Sequence, residues 1–295
     1  MTNIRRVGVL GCGLMGSGIA QVAAMAGYET LVRDVAPDIW SRARANIEQS
    51  LAKFVEKGKL TAPDRDATLK RLSFTTDTSD LKGCDIILEA VTEDLELKNA
   101  LWNQLDGLCG RGTIFASNTS SLTIAAMAAA TQRGDRFVGL HFFNPVPLMQ
   151  LIEVVRTVTT SDETYGRAFA FAKSLGKEPV AAKDASGFLV NLLLVPYLLD
   201  AVRAVEHRVG SVADIDRAMQ LGCGHPMGPL TLLDFVGLDT TYRIAEIMFD
   251  EYREAKYAPP SLLKRMVLAG MTGRKSGKGF YDYSGNPPKV SDLGL

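Results

Sequence analysis

The sequence predicts an α/β protein in which a Rossmann-type, mostly parallel sheet domain precedes an all-helical domain. Strand-like and helix-like segments alternate in the first half, a glycine-rich turn joins the first such pair, and strand signals stop after a polar break. A chain of 295 residues is long enough for two domains of ordinary size. We therefore expect one domain over residues 1–183 and a second over residues 184–295.

The predicted first domain opens with a β-α-β unit. Residues 6–10 have a strand pattern, residues 15–27 have alanine-rich helical spacing, and residues 29–32 return to a strand that leads to Asp34. Helices are then predicted at residues 37–58 and 63–72, and strands at residues 73–75, 85–91, 113–116, 137–140 and 151–155. This alternation indicates a parallel sheet covered by helices.

The predicted second domain has amphipathic helices up to about residue 270 and a basic, glycine-rich tail at residues 273–279 that we expect to be flexible. Residues 188–199 are apolar on every helix face except for Asn191 and Pro196. A helix of that kind is buried against another domain or subunit, so we expect a homodimer built on this domain. Asn191 needs a hydrogen-bond partner in such surroundings.

Composition excludes several classes of function. Lys plus Arg and Asp plus Glu both count 33, so no basic excess favours a nucleic-acid or membrane partner. The 4 cysteines form no Cys-x-x-Cys pair and the 3 histidines have no His-x-x-x-His spacing, which argues against a metal site. Residues 188–199 are too short and too polar to span a bilayer, and the N-terminal apolar run is too rich in glycine for an export signal. We expect a cytoplasmic protein.

A glycine fingerprint lies between the first predicted strand and helix. Its residues are Gly11, Cys12, Gly13, Leu14, Met15 and Gly16. In a dinucleotide fold the glycines permit a tight turn, close approach of a pyrophosphate, and close packing of helix on strand. Asp34 follows about 20 residues later, where a carboxylate accepts a hydrogen bond from an adenosine ribose. This combination predicts NAD, while Arg33 beside Asp34 leaves NADP open.

Polar residues follow three predicted strands at their carboxyl ends. They are Glu93, the run Asn118-Thr119-Ser120-Ser121, and His141 with Asn144. Each alone is commonly a cap or turn residue. Because the carboxyl ends of parallel strands face the ligand crevice, their agreement in position predicts a site there.

Glu153 is a lone carboxylate in the apolar strand predicted at residues 151–155. Burying it unpaired would cost several kcal/mol, so it needs a partner. A reversal at the Asn144-Pro145-Val146-Pro147 turn would bring His141 beside it. A purely structural pair, or a surface pair with Arg156, is the alternative.

Six motifs together resemble the L-3-hydroxyacyl-CoA dehydrogenase family over about residues 5–284. They are Gly-x-Gly-x-Met-Gly-x-Gly-Ile-Ala-Gln from Gly11, Glu89-Ala90-Val91-Thr92-Glu93, Ser117-Asn118-Thr119-Ser120-Ser121, His141-Phe142-Phe143-Asn144-Pro145, Gly187-Phe188-Leu189-Val190-Asn191 and His225-Pro226-Met227-Gly228-Pro229. The short, stand-alone chain is similar to the bacterial 3-hydroxybutyryl-CoA dehydrogenases. The resemblance implies an acyl-CoA substrate, NAD as cofactor and a dimer.

The resemblance also implies roles for individual residues. His141 is expected to be the general base and Glu153 its orienting carboxylate, with Ser120 and Asn191 near the reacting carbon. The expected cofactor contacts beyond the fingerprint are Asp34, Glu93, Lys98, Asn118, Ser120, Asn144 and Lys275. Ser50 and Lys57 match positions that contact CoA, although the helix over residues 42–59 also reads as a solvated helix with a basic face.

Two other functions compete with this interpretation. A sugar-acid dehydrogenase of the L-gulonate type, from the same superfamily, would share the fold and the pair of His141 and Glu153 but would need no CoA site. A non-enzymatic nucleotide-binding protein would keep only the first domain's fold, and the joint presence of His141, Glu153 and Asn191 argues against it. An imidazole titrates near neutral pH and suits removal of a proton from a secondary alcohol.

Overall fold

The computed structural model describes residues 4–294, which form two compact units that divide after Phe188. The sequence places the boundary earlier, after Lys183. The intervening segment packs in the first unit, where the Asp184 carboxylate accepts hydrogen bonds from the backbone N–H groups of Ile124 and Ala125. The Ser186 hydroxyl likewise donates to a carbonyl of the first unit.

Eight strands within the described part of the first unit form one sheet in the order β3-β2-β1-β4-β5-β6-β7-β8. The strands are β1 Arg6–Leu10, β2 Glu29–Arg33, β3 Leu72–Thr75, β4 Ile86–Glu89, β5 Ile114–Ser117, β6 Phe137–Phe142, β7 Leu151–Arg156 and β8 Glu178–Lys183. Neighbouring strands run parallel except for the antiparallel pair of β6 and β7. The predicted mostly parallel sheet is confirmed.

Helices cover both faces of this sheet. They are α1 Leu14–Met25, α2 Pro37–Glu56, α3 Ala62–Lys70, α4 Leu95–Leu108, α5 Ile124–Ala128 and α6 Asp162–Ser174, with short 3-10 turns at Thr78–Gly83 and Gly134–Arg136. The sequence of strand β4 is apolar at Ile86, Ile87 and Leu88 because both faces of the strand are buried. Ile86 and Leu88 belong to one core, whereas Ile87 belongs to the core on the opposite face. Strands buried on both faces are typical of parallel sheets.

The second unit is helical, as predicted. Its helices are α7 Val190–Glu206, α8 Val212–Cys223, α9 Pro229–Val236, α10 Leu238–Tyr252 and α11 Ser261–Leu268, with 3-10 turns at Ala255–Tyr257 and Arg274–Ser276. Pro196 lies inside α7, which continues past it. Among residues 4–294 no helix is long and apolar enough to cross a membrane.

Three sequence expectations about the elements are wrong. Strand β8 was not anticipated, because Pro179 disfavours a strand and the segment has no regular alternation of buried and exposed residues at the sheet's edge. A two-stranded pair, β9 Tyr281–Asp282 with β10 Lys289–Val290, follows the helices. The tail at residues 273–279 is structured rather than flexible: Gly273 packs on Asp234, whose buried carboxylate accepts from the Phe280 N–H that follows the tail.

Candidate active site

The topology of the first unit creates a crevice at the carboxyl ends of β1 and β4. These two strands are neighbours, yet the chain leaves β1 toward β2 on one side and later crosses to β4 on the other. The loops that follow such a pair diverge, and ligands bind between them. The loops are in contact at their base, since a Cβ on Gly11 would lie 2.8 Å from the Ala90 carbonyl oxygen.

The glycine fingerprint has the geometry that a pyrophosphate requires. Gly11 adopts a left-handed φ of 84°, and a Cβ on Gly16 would lie 1.9 Å from the Gly11 oxygen, so both positions need glycine. A Cβ on Gly13, in contrast, would meet nothing within 4 Å. Gly13 caps α1 without a side-chain hydrogen bond, which leaves the first-turn N–H groups for an anion. These residues fit a dinucleotide.

Asp34 connects the end of β2 to this fingerprint. One carboxylate oxygen accepts from the Cys12 N–H at 2.6 Å, and the other accepts from the Val35 N–H at 2.7 Å. Burial, with the hydrogen bond and charge of Asp34, raises the pKa of the Cys12 thiol to about 12, so the thiol stays neutral beside an anionic ligand. Each carboxylate oxygen retains a second lone pair for a ribose hydroxyl. Asp34 therefore positions the loop and can also bind the ligand.

His141 and Glu153 face each other across the antiparallel pair of β6 and β7. They are directly opposite in the register, and the imidazole Nδ1 lies 2.6 Å from a Glu153 carboxylate oxygen. The predicted reversal of the chain is thus confirmed, and Arg156 pairs instead with Asp162. Because a carboxylate only accepts, the proton is on Nδ1, and Nε2 is left as the acceptor. Both side chains are nearly inaccessible to solvent.

Two aromatic rings pack beside the imidazole of His141. The Phe143 ring centroid lies 4.5 Å from the imidazole centroid and that of Phe188 lies 5.6 Å away. Phe188 is buried and has a left-handed φ of 49°, which costs a bulky residue about 1–2 kcal/mol. Neither ring was anticipated as part of the site. The sequence contains no sign of the strain at Phe188, because backbone angles are set by tertiary contacts.

The turn between β6 and β7 is held by a buried lysine. Lys177 Nζ donates to the carbonyl oxygens of Val146 and Met149, each at 2.7 Å. Burial lowers the pKa of Lys177. Asn144, an expected cofactor residue, is exposed at the start of this turn. The turn thus has a fixed shape next to the pair of His141 and Glu153.

The loop after β5 is connected to both of its neighbouring strands. Asn118 accepts from the Phe142 N–H at 2.8 Å, directly after His141. Ser120 is partly exposed, and its N–H donates to Glu93 at 3.3 Å. The expected residues Asn118, Ser120 and Glu93 therefore lie together at the carboxyl edge, next to the histidine.

A buried charge cluster of Glu89, Glu93 and Lys98 lies beneath this edge. Lys98 Nζ is 2.7 Å from Glu89 and 3.0 Å from Glu93, and the ammonium is almost fully buried. Burial by itself would raise the pKa of Glu93, but the Lys98 charge and hydrogen bonds from Thr119, Lys98 and the Ser120 N–H lower it overall. Sequence reasoning missed Glu89, although its signal was the one used for Glu153: a lone carboxylate in an apolar strand.

The remaining expected residues belong to other elements. Ser50 is in α2, and Lys57 follows the helix, which ends at Glu56 and not at residue 59 as expected. Two turns separate Ser50 and Lys57, so they share one side of the helix. In the second unit Asn191 is in the first turn of α7, and Lys275 forms an ion pair with Asp239 at 2.6 Å.

Family comparisons agree over nearly the whole chain. A sequence model of the 3-hydroxyacyl-CoA dehydrogenase NAD-binding domain matches residues 6–185, and one of the C-terminal domain of the same enzymes matches residues 187–283. The 3-hydroxybutyryl-CoA dehydrogenase of Mycobacterium tuberculosis is 49% identical over 282 residues, which are 95% of this chain and 99% of that protein. The mitochondrial hydroxyacyl-coenzyme A dehydrogenase of Homo sapiens is 46% identical over 95% of this chain and 91% of its own.

A solved structure shows the same arrangement. The (S)-3-hydroxybutyryl-CoA dehydrogenase of Ralstonia eutropha superposes with a TM-score of 0.92 at 43% identity, and the match covers 96% of this chain and 100% of that one. Matches of this extent include both units. The chain belongs to the 3-hydroxyacyl-CoA dehydrogenase family, and its first unit is the NAD-binding domain of that family.

Proposed function

We propose that this protein interconverts (S)-3-hydroxyacyl-CoA and 3-ketoacyl-CoA with NAD, and that its substrate is the short-chain ester 3-hydroxybutyryl-CoA. The observation that carries the proposal is the hydrogen-bonded pair of His141 and Glu153 beside a crevice that fits a dinucleotide. The names of the Mycobacterium tuberculosis and Ralstonia eutropha relatives support the choice of substrate.

The pair of His141 and Glu153 supplies the acid-base chemistry in this proposal. NAD, when bound, supplies the acceptor for the hydride of the alcohol carbon. His141 Nε2 takes the hydroxyl proton, and the Glu153 carboxylate stabilises the resulting imidazolium while it holds the ring's orientation. In the reverse direction the protonated histidine donates to the keto oxygen.

Other residues bind substrate or cofactor, or exclude water, in this proposal. Phe143 and Phe188 exclude water from the imidazole on the sides where they pack. Ser120 and Asn191 are proposed to contact the substrate near the reacting carbon, and Ser50 and Lys57 to bind CoA. The set proposed to hold NAD comprises the fingerprint, Asp34, Glu93, Lys98, Asn118, Ser120, Asn144 and Lys275.

We expect the purified protein to oxidise NADH when acetoacetyl-CoA is added, because the site combines a domain that binds NADH, the hydride donor, with a positioned acid that protonates the keto oxygen. Absorbance at the NADH band measures the rate, and longer 3-ketoacyl-CoA esters are expected to give lower kcat/KM. Turnover of L-gulonate with NAD but none of acetoacetyl-CoA would instead identify a sugar-acid dehydrogenase. Binding of NADH without turnover of either substrate would indicate a non-enzymatic protein.

We expect His141→Ala to lower kcat by roughly 10²- to 10⁴-fold while NADH binding stays near normal, since only the acid-base group is removed. His207→Ala is the matched control, because His207 is an exposed histidine just after α7. Steady-state kinetics and NADH titration provide the two measurements.

Glu153→Gln should also lower kcat and move the pH profile for oxidation to lower pH, because an amide holds the ring but does not stabilise its charge. Combining the two changes should cost little more than His141→Ala alone, since Glu153 acts through the imidazole. Fully multiplicative losses in the double variant would contradict the dyad.

Asp34 is expected to make kcat/KM higher with NAD(H) than with NADP(H), because a 2′-phosphate would approach its carboxylate. Asp34→Asn should narrow that preference. It should also weaken the binding of both cofactors, because an amide has one acceptor oxygen whereas the Cys12 and Val35 N–H groups bond to two different oxygens of Asp34. Equal use of both cofactors by the unaltered protein would show that Arg33 accommodates the phosphate.

We expect a homodimer in solution through the helical unit. Large apolar side chains of that unit are exposed in the single chain, including Leu193 at 74% and Leu221 at 73%. Apolar exposure of this kind is typical of subunit interfaces. Multi-angle light scattering at micromolar concentration measures the mass directly, and a monomer there would contradict the prediction.

A further inference from the structure

Glu89 has no part in the acid-base chemistry, yet it is one of the most buried ionic groups of the first unit. It is the last residue of β4, it has no exposed surface, and its carboxylate accepts three hydrogen bonds. One carboxylate oxygen accepts from Lys98 Nζ at 2.7 Å and from the Val91 N–H at 2.8 Å, and the other accepts from the Ser117 hydroxyl at 2.6 Å. These three hydrogen bonds engage both oxygens of the Glu89 carboxylate.

The charge cluster therefore has a net charge of minus one. Glu89 and Glu93 each contribute one carboxylate, and the Lys98 charge and the surrounding hydrogen bonds lower the pKa of Glu93. Lys98 lies between the two and neutralises one charge. Two carboxylates thus share one ammonium, and one negative charge of the cluster is left uncompensated by a cation of the cluster.

The cluster lies where the nicotinamide end of the cofactor must bind. Asp34 at the end of β2 marks the adenosine side of the crevice, and α1 begins in the middle. His141 on β6 marks the other side of the crevice. The proton and the hydride leave adjacent atoms of one alcohol, so the nicotinamide that accepts the hydride must bind close to His141. The nicotinamide consequently approaches from the ends of β4 and β5, the strands that carry Glu89 and Ser117.

We infer that Glu89 is a positioning and charge-setting residue, which holds Lys98 against Glu93 and gives this edge an excess negative charge that favours oxidised NAD over reduced NADH. The nicotinamide ring carries a positive charge in NAD⁺ and none in NADH, and the rest of the two cofactors is the same. A fixed negative charge in a poorly screened site therefore acts on one form only. The inference rests on the proposed NAD-dependent function.

The variant Glu89→Gln tests this inference with little change of shape. The amide oxygen still accepts from Lys98 and the Val91 N–H, and the amide NH₂ faces the Ser117 hydroxyl, which can accept in place of donating. Glu29→Gln is the matched control. It removes the same charge at an exposed residue that begins β2, at the amino ends of the strands and away from the crevice at their carboxyl ends.

Dissociation constants for NAD⁺ and NADH are measured separately, by calorimetry and by NADH fluorescence, with the complete protein and no acyl-CoA. We expect Glu89→Gln to weaken NAD⁺ binding relative to NADH binding by roughly 3- to 30-fold, which Coulomb's law gives for one charge about 8 to 25 Å away at an effective dielectric constant of about 20. Glu29→Gln should leave the ratio of the two constants unchanged. A structural role alone would weaken the binding of both cofactors equally. An unchanged ratio of the two dissociation constants, with or without such weakening, would overturn the inference.

The remaining outcomes distinguish failure of this inference from failure of the proposed function. If Glu89→Gln does not fold, Glu93→Gln removes the same charge from a partly exposed position, and the same shift of the ratio is expected; an unchanged ratio there overturns the inference. If the unaltered protein binds neither cofactor, the proposed NAD-dependent function fails and the inference fails with it. Binding of both with no shift in either variant contradicts the inference alone.

Discussion

The antiparallel pairing of β6 with β7 is the constraint on which the candidate site depends. Every other neighbouring pair in the sheet is parallel, so this single reversal is what places a residue of one strand opposite a residue of the next across a short turn. The register pairs His141 with Glu153, and a shift of one residue would turn both side chains to the other face. The turn between the strands is fixed by Lys177, which suggests why a lysine is buried there.

Buried charge organises the rest of the edge. Glu153 is paired with an imidazole, and Glu89 with an ammonium that a second carboxylate also contacts. Leaving any of these groups without its partner would cost several kcal/mol, so each carboxylate fixes the loop or strand that carries its donor. The same interactions that satisfy the fold thereby set the electrostatic potential to which a cofactor is exposed.

Buried carboxylates also organise part of the helical unit. Asp216 and Asp234 are both buried, and their partners are backbone N–H groups and the hydroxyls of threonine and tyrosine, with no cation among the contacts described for them. Burial raises the pKa of Asp234 despite those donors, and the nearby Asp216 adds to the effect. Asp234 in this way orders a tail whose glycine content favours flexibility.

The sequence by itself determined the order of most strands and helices of the first unit, the glycine fingerprint, and the need for a partner to Glu153. Periodicity, turn chemistry and the cost of burying charge act locally along the chain. It also contained the motifs of the family. Tertiary structure alone decided which carboxylates share Lys98, how Phe188 is strained against His141, and why residues 273–279 are ordered. Those outcomes depend on groups that are distant in sequence and meet only when the sheet and helices have packed, so no local pattern encodes them.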